Sequence, residues 1–334
     1  MKHWMGIDVS RATLEVALVD DAGVRLDTAS LKNDRRAVQG LLKRWGKAYG
    51  LGKENLLVCL EPTSHYSNGL VRWLVEADMP VWLAHPSDIQ HSIGSTRGKN
   101  DQVDALRIAD YARRFQDKAI HFTAGRLQFI ALRQLITRRG QLVRSRVMHQ
   151  TQIADLNRYA EKDLQRTFDR FDNAQLRLLD RLIKQTDALI LDTIRSDAQL
   201  HRLYELVRSV PGVGPVLAAN LLAITEGFIR FKTARALSCH AGAAPYTHTS
   251  GTSIRGRTRV SPKAHQGLKA LLHISAMGTV ARPGELQDYW LRKLAEGKTK
   301  MTVLNAIRNK IIHRVCSVVN RGQPYSLTYP LPMS

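Results

Sequence analysis

Cysteine is scarce in this sequence, with only Cys59, Cys239 and Cys316 among its 334 residues. The three are isolated, odd in number and form no C-x-x-C pair, which argues against a disulfide framework and a zinc site. No apolar run approaches the roughly 20 residues of a membrane span, and no signal peptide opens the chain. These absences lead us to expect a cytoplasmic protein without membrane contact.

Acidic residues are few beside basic ones: 29 Asp and Glu stand against 50 Lys and Arg, a formal net charge of +21. Such an excess implies a polyanionic partner, either nucleic acid or an anionic surface. Residues 209–334 hold 17 basic and 4 acidic residues, whereas residues 1–125 hold 17 and 15. We therefore expect a nucleoid-associated protein with acidic chemistry early in the chain and double-stranded DNA bound late in it.

Proline is absent from residues 126–208, and Gly140 is the only glycine there. Leucine and isoleucine recur with a helical period, which predicts long helices in a hairpin or a coiled coil. A stripe of apolar residues supports this: Leu156, Leu176, Leu179, Ile183, Leu189 and Ile190. A solvated helical arm of this kind is suited to forming a homodimer or a tetramer.

The chain is long enough for two or three domains. We predict an α/β catalytic domain at residues 1–150, a helical or coiled-coil dimerisation arm at 151–208, and a mainly helical C-terminal domain at 209–334. Within the first domain the patterns predict three strands, a helix, a strand, a helix, a strand and a further helix. This order is the one that an RNase H-like fold supplies.

Two carboxylates follow apolar, strand-like runs in the first domain. Asp8 ends the run W-M-G-I-D, and Glu61 ends the run L-L-V-C-L-E. Hydrophobic burial does not explain an acid in that position, whereas ligands of open sheets bind at the carboxyl ends of strands. The two residues are therefore candidates for one site.

Asp101 and Asp104 lie three residues apart where a polar segment gives way to a helical pattern. Residues at this spacing are about 5–6 Å apart at Cβ, so both carboxylates project from one helix face. The predicted apolar face of this helix consists of Val103, Leu106, Ala109 and Ala112, widened by Ile108. A plain acidic first turn, stabilised by the helix dipole, is the alternative to a functional pair.

Together the four acids favour a divalent-metal site, because carboxylate oxygens are the hard ligands that Mg²⁺ prefers. Two such ions, about 3.5–4 Å apart, activate an attacking oxygen and stabilise a leaving oxygen in phosphoryl transfer.

The turn P-G-V-G, which contains Gly212 and Gly214, precedes a helical pattern and has helix-hairpin-helix character. The free N–H groups at the start of such a helix can hold a phosphate. The same motif also serves as a simple turn between helices, and the motif by itself does not decide between the two.

Residues 241–263 have no apolar period and are rich in serine, threonine, glycine and arginine. A flexible basic loop that contacts phosphate is one interpretation. A sharper hypothesis makes one hydroxyl a nucleophile towards a DNA phosphate, with arginines stabilising the developing charge. Chemistry alone does not choose among the hydroxyl groups: Thr247, Thr249, Ser250, Thr252 and Ser253.

The segments G-I-D-V-S, C-L-E-P-T-S-H-Y and K-N-D-Q-V-D-A, in this order, resemble the RuvC-type, RNase H-like core of DEDD insertion-sequence transposases. These are relatives of the Piv pilin-gene invertase, and members are directed by a bridge or seeker RNA. The segment T-S-G-T-S-I-R-G resembles the serine motif of the same family's C-terminal domain, and its first serine is Ser250. The resemblance thus reaches both ends of the chain.

The resemblance implies that Asp8, Glu61, Asp101 and Asp104 hold Mg²⁺, as two ions for which Mn²⁺ can substitute. It implies that Ser250 forms a transient phosphoserine link to DNA in an active site shared between protomers, and that a guide RNA selects the target. The nucleic-acid contacts that we predict are Arg97, Lys99, Gly212, Gly214, Arg255, Arg257, Arg259 and Lys263.

Two other functions fit the same residues. One is a metal-only nuclease resembling a Holliday-junction resolvase, whose C-terminal third merely binds DNA. The other is a non-catalytic nucleic-acid-binding protein with vestigial acids. A covalent protein–DNA adduct separates the first from a transposase, and metal-dependent strand cleavage excludes the second.

Overall fold

The computed structural model describes residues 2–62, 65–93, 101–156, 159, 161–231, 233–244, 246–250, 254–259 and 264–326; for the two short segments 246–250 and 254–259 it describes the backbone. The chain divides into two compact units, Met1–Leu127 and Gln128–Ser334. Each unit is described by itself. The functional division at residues 150 and 208 stays a prediction, and residue 150 lies inside a helix.

Besides two single-turn 3-10 helices, the described residues of the N-terminal unit form five strands and four α-helices. In chain order these are β1 (His3–Val9), β2 (Thr13–Asp20), β3 (Arg25–Lys32), α1 (Arg35–Tyr49), β4 (Leu56–Leu60), α2 (Ser67–Glu76), β5 (Val81–Leu83), α3 (Pro86–Ile93) and α4 (Asp101–Arg114). This order confirms the predicted succession of strands and helices, with α3 as an addition. The prediction of an α/β sheet region is therefore correct.

The five strands form one mixed sheet in the order β3-β2-β1-β4-β5. β1 pairs antiparallel with β2 and parallel with β4, and β4 pairs parallel with β5. All five residues of β4 are buried, and so are most residues of β1. A strand that is buried on both faces reads as a continuous apolar run, which explains why both were recognisable in the sequence.

Local signals set the ends of α1, which covers one face of this unit's core. The side chain of Asp34 accepts a hydrogen bond from the backbone N–H of Ala37, and Gly50 ends the helix in the left-handed conformation. An aspartate at the N-cap and a glycine after the last turn are the preferred residues for these positions. Val38, Leu41 and Trp45 form the buried face of the helix.

The helix α4 packs on β1, β2 and β4 through a face that includes Ile108, Ala109 and Ala112 of the predicted apolar face. Its buried residues are Ala105, Ile108, Ala109, Tyr111 and Ala112. Val103, which the spacing of three had assigned to the core, is 40% exposed. The three alanines lie where the helix backbone comes closest to the sheet, at Gly6, and the larger Ile108 and Tyr111 complete the buried face.

The C-terminal unit is mainly helical, with one short hairpin. In chain order its elements are α5 (Leu127–Leu156), α6 (Lys162–Arg195), α7 (Ala198–Arg208), α8 (Pro215–Thr225), α9 (Ala234–His240), β6 (Tyr246–Ser250), β7 (Ile254–Arg259), α10 (Gln266–Val280), α11 (Glu285–Ala295) and α12 (Lys300–Arg321). Its core lies among α7, α8, α10 and α12. Among the described helices of both units, none is long and apolar enough to cross a membrane.

Ion pairs show that α5 and α6 run antiparallel to each other. Arg139 Nε lies 2.5 Å from Asp187 Oδ1, and Arg146 Nε lies 2.5 Å from Asp180 Oδ1. The predicted helical hairpin is therefore present. Its predicted stripe is wrong at Leu189, which is 53% exposed, while Thr186 is buried one turn earlier. The hydroxyl group of Thr186 donates a hydrogen bond to the carbonyl oxygen of Leu182 at 2.7 Å, so this buried hydroxyl group has a partner.

Candidate active site

Asp8 and Glu61 follow residues that face each other on neighbouring strands. Ile7 of β1 is paired with Leu60 of β4 in parallel register, so the next residue of each strand is an acid. Because the strands are parallel, both carboxylates emerge at the same edge of the sheet. Both side chains are half-buried. The sheet thus brings together two acids that are 53 positions apart in the sequence.

The helix α4 brings the aspartate pair to this edge, and Gly6 of β1 sets how closely it approaches. A Cβ atom at Gly6 would overlap the carbonyl oxygen of Ala105 and the backbone nitrogen of Ala109. Asp104 directly precedes Ala105, and Gly6 lies two residues before Asp8. The absence of a side chain at Gly6 therefore allows the helix that carries Asp104 to pack against the strand that carries Asp8.

The pKa values of the acids show that their negative charges interact. Burial raises the pKa of Asp8, and the negative charges of Asp101 and Asp104 raise it further. Burial likewise raises the pKa of Glu61, followed by the charges of Asp8 and Asp104. Each acid therefore lies within electrostatic reach of others in the set. The four carboxylates, which come from three separate parts of the sequence, thus lie in one region of the N-terminal unit, and their role as metal ligands stays a prediction.

Asp104 already has a cationic partner on its own helix. Arg107 Nη1 donates to Asp104 Oδ1 at 2.7 Å, and both side chains are partly buried. Among the residues that the structure describes, no three acidic, histidine or cysteine side chains are close enough together to hold a metal ion.

The donor set nevertheless fits a hard divalent cation. Its members offer carboxylate oxygens, and burial together with mutual repulsion raises the pKa of two of them, which a cation would relieve. Asp8, Glu61, Asp101 and Asp104 are the residues that would hold the ion.

Sequence reasoning missed two residues of this region. Gly6 carried a signal, since a glycine inside a strand often marks a close backbone approach. Arg107 also carried one, because it lies three residues after Asp104 on the same helix face. Neither was assigned a part in the site.

The serine segment forms a hairpin, so the prediction of a flexible loop is wrong for its strands. β6 and β7 are antiparallel, and Ser250, the last residue of β6, is paired with Ile254. β-Branched threonines and isoleucine stabilise such strands even without an alternating apolar pattern. Arg255, Arg257 and Arg259 lie in β7. Arg97, Lys99 and Lys263 lie outside the described residues, and Ser250 belongs to a different unit from the four acids.

The P-G-V-G turn joins α7 to α8, as predicted for a turn between two helices. Gly212 has a φ of +89°, and a Cβ atom there would overlap the hydroxyl of Thr279. Its carbonyl oxygen also accepts a hydrogen bond from Ser275 of α10. Gly214 has open space around its Cβ position and is the N-cap of α8. Gly212 therefore has a structural reason to be glycine, and phosphate binding at the turn stays a prediction.

Two family models match the chain, and together they span more than half of it. A DEDD transposase model of the IS110 type covers residues 5–156, and the model of the transposase IS116/IS110/IS902 family covers residues 204–291. The pilin gene-inverting protein of Moraxella bovis is 23% identical over 97% of this chain and 98% of its own length. The insertion element IS116 protein of Streptomyces clavuligerus is 37% identical, over 37% of this chain and 30% of its own length.

Among solved structures, RuvC of Thermus thermophilus in complex with a Holliday junction substrate is similar to part of this chain. It is 12% identical with a TM-score of 0.28, and the match covers 36% of this chain and all of RuvC. The matches to the two family models identify the class of protein as a DNA transposase or recombinase. The chain belongs to the IS110/IS116 family of DEDD transposases and is homologous to the pilin gene-inverting proteins.

Proposed function

We propose that this transposase cuts and rejoins DNA through a Mg²⁺-dependent carboxylate site and a covalent phosphoserine intermediate. The observation that carries the metal half is the meeting of Asp8 and Glu61 on adjacent parallel strands, with the charge of Asp104 acting on both. Bound Mg²⁺ would stabilise the charge that develops on the attacking and leaving oxygens. Mn²⁺, which takes similar oxygen ligands, would substitute.

Ser250 is the proposed nucleophile. Its Oγ atom forms a bond to a DNA phosphorus, the bond from that phosphorus to one strand oxygen breaks, and the serine proton passes to the released strand end as a hydroxyl. A hydroxyl from another strand then attacks the phosphoserine, which restores Ser250 and joins the strands. The support is the family membership together with the backbone position of Ser250 at the end of β6, followed by Gly251. A glycine there permits close approach of a phosphate.

The remaining parts of the proposal concern partners. The helical arm would join two protomers or more, an active site would form from the acids of one protomer and the serine of another, and a guide RNA would choose the target. Recovery of a discrete RNA with the purified full-length protein supports the guide. A nucleic-acid-free preparation that still recombines its specific target would remove the guide RNA from the proposal.

Replacement of Asp104 with Asn tests the metal half, because the amide keeps the shape of the side chain but loses an anionic ligand. We expect Mg²⁺-dependent strand cleavage to be lost while DNA binding persists. Asp110→Asn is a matched control on the same helix, since Asp110 pairs with Arg113 at 2.9 Å and belongs to no predicted site. Ordinary recombination by Asp104→Asn would show that the four-acid site is wrong.

Replacement of Ser250 with Ala tests the covalent half. We expect this variant to lose the protein–DNA adduct that denaturing electrophoresis traps on labelled DNA, with DNA binding unchanged. Ser253→Ala is the control and should still form the adduct, with mass mapping placing it on residue 250. An adduct on Ser253 would move the nucleophile, whereas strand cleavage by the wild type without any adduct would favour a metal-only nuclease.

A further inference from the structure

Arg308 is enclosed in the helical core of the C-terminal unit. It lies near the middle of α12, between the buried residues Ile307 and Ile311, and is 6% exposed. Its Nε atom has no hydrogen-bond partner among the described residues. An enclosed N–H donor without a partner is costly, because it has lost its hydrogen bonds to water and gained none in return. A bound ion or ligand is one of the explanations for such a group in a folded protein.

The acids of this part of the chain are engaged elsewhere. Residues 209–334 contain four, and three of them pair with other basic residues: Glu226 with Arg133 at 2.9 Å, Glu285 with Arg314 at 2.5 Å, and Glu296 with Lys293 at 2.6 Å. The fourth, Asp288, is exposed at the surface. Burial alone lowers the pKa of Arg308, with no acid raising it. Among all the residues that the structure describes, no acid forms an ion pair with Arg308.

Other buried polar groups near Arg308 on α12 also lack partners. Within the described structure, the Oδ1 atoms of Asn305 and Asn309 are enclosed without a hydrogen bond. Residues 305, 308 and 309 share one face of the helix, since positions three and four apart are neighbours. A face with an uncompensated cation and two amide oxygens that accept no hydrogen bond is polar in a place where apolar packing would be more stable.

Asn305 on this face of α12 contacts the segment that precedes β6, the strand that ends at Ser250. The Nδ2 atom of Asn305 donates to the carbonyl oxygen of Ala243 at 3.0 Å, and the N–H of Ala243 donates to the carbonyl oxygen of Ser238 at 2.9 Å. The hydroxyl of Ser238, on α9, is fully buried and has no partner among the described atoms. Ala243 lies three residues before β6, and Arg308 is one helical turn from Asn305.

We propose that Arg308 binds a phosphate of the DNA strand that the Ser250 hairpin engages, with the polar face of α12 forming the wall of this anion site. An arginine offers a rigid fork of N–H donors that matches two phosphate oxygens. The DNA assignment rests on the proposed function of the hairpin, whereas binding of an anion rests on the burial and missing counter-charge of Arg308.

The first measurement uses the full-length wild-type protein with inorganic phosphate as the probe. We expect its melting temperature to rise with phosphate more than with chloride at matched ionic strength, because a ligand that binds the folded state stabilises it. Equal responses to phosphate and chloride would overturn the anion site. This measurement involves no recombination, so a wrong nucleophile or metal site leaves its result unaffected.

The second measurement is the melting temperature of the variant Arg308→Met. We expect it not to fall, whereas most substitutions in a protein core lower it. Without phosphate, the variant should melt at the same temperature as the wild type or higher, and it should lose the phosphate-specific rise. Arg314→Met is the matched control: its arginine is also buried on α12 but is paired with Glu285, so this variant should melt lower and keep the phosphate response. A lowered melting temperature for Arg308→Met, or failure to fold, would make Arg308 a structural residue.

Binding of labelled duplex DNA at a series of salt concentrations shows whether the site takes a DNA phosphate or a small anion. For Arg308→Met the slope of log affinity against log salt should be shallower by about 0.9, the loss of one phosphate contact. Lys300→Met removes an exposed charge from the start of the same helix and controls for net charge. A phosphate-specific rise combined with an unchanged DNA slope in Arg308→Met would overturn the DNA assignment and leave a site for small anions.

Discussion

The ionised carboxylate of Asp8 destabilises the folded protein. Burial and the neighbouring carboxylates of Asp101 and Asp104 raise its pKa above the usual 3.8. The unfolded chain therefore loses this proton at a lower pH than the folded protein does. Ionisation of Asp8 thus lowers the free energy of unfolding as the pH rises from about 3.8 through the folded-state pKa, and the loss is complete above it.

We accordingly expect Asp8→Asn to raise the free energy of unfolding of the metal-free protein at pH 7, and to do so less as the pH falls towards 3.8. Urea denaturation in the presence of a chelator measures this difference. Asp110→Asn, which breaks an ion pair with Arg113, should show no such gain. A stability change for Asp8→Asn that does not depend on pH would contradict the electrostatic explanation.

Arg107 competes with a metal ion for Asp104, since its guanidinium already occupies the Oδ1 atom of that carboxylate. Arg107→Gln should therefore bind Mn²⁺ a few-fold more tightly, in keeping with the roughly 0.2–1 kcal/mol of partly exposed ion pairs. Titration calorimetry on the full-length protein measures the change, and Arg107→Lys, which keeps the charge, should differ less from the wild type. Weaker Mn²⁺ binding by Arg107→Gln would show that Arg107 instead positions Asp104 for the metal.

At the scale of elements, the contact between α4 and β1 determines whether the four acids can meet. Gly6→Ala would force the helix away from the strand, because the new methyl group overlaps backbone atoms, which cannot rotate aside. We expect a loss of about 1–3 kcal/mol in the free energy of unfolding, the usual cost of overpacking, together with a loss of strand cleavage. Thermal or urea denaturation gives the first quantity and a cleavage assay gives the second.

Gly40→Ala is the matched control for this substitution. Gly40 lies inside α1 and has no atom within 4 Å of its Cβ position, so alanine should stabilise the helix by about 0.5–1 kcal/mol. Equal effects of the two substitutions would mean that α4 adjusts easily to a side chain at residue 6.

The elements also show why some of the fold was predictable from sequence and some was not. The strand that ends before Glu61 has a continuous apolar run and the helix α1 has clear end signals, and both are present in the structure in the predicted order. The buried face of α4 was predicted in part: Ile108, Ala109 and Ala112 are buried, but Val103 is exposed and Ala105 was missed. Ala105 is buried because it lies against Gly6, a contact between residues distant in sequence.

At the scale of the whole molecule, the net charge follows the division into two units. Residues 1–127 contain 18 basic and 15 acidic residues, whereas residues 128–334 contain 32 and 14. The C-terminal unit thus carries +18 of the total of +21. The four predicted metal ligands belong to the nearly balanced unit, where a surplus of lysine and arginine would compete with a metal ion for the carboxylates. Phosphate contacts are therefore expected mainly on the C-terminal unit.

This distribution predicts a steep salt dependence for DNA binding by the full-length protein. Each phosphate contact releases counterions, so the slope of log affinity against log salt should be about −0.9 per contact with duplex DNA. With 6–10 contacts, affinity would fall by about 10³–10⁵ between 50 and 200 mM salt.

Fluorescence anisotropy with a labelled duplex measures this slope. Repeating it with Arg257→Gln in β7 and with Arg113→Gln in α4 distinguishes the contributions of the two units to DNA binding. The β7 variant should flatten the slope by about 0.9, whereas the α4 variant, whose arginine is paired with Asp110, should leave it unchanged. A flat response in the wild type would mean that the charge serves solubility and that DNA is held by other contacts.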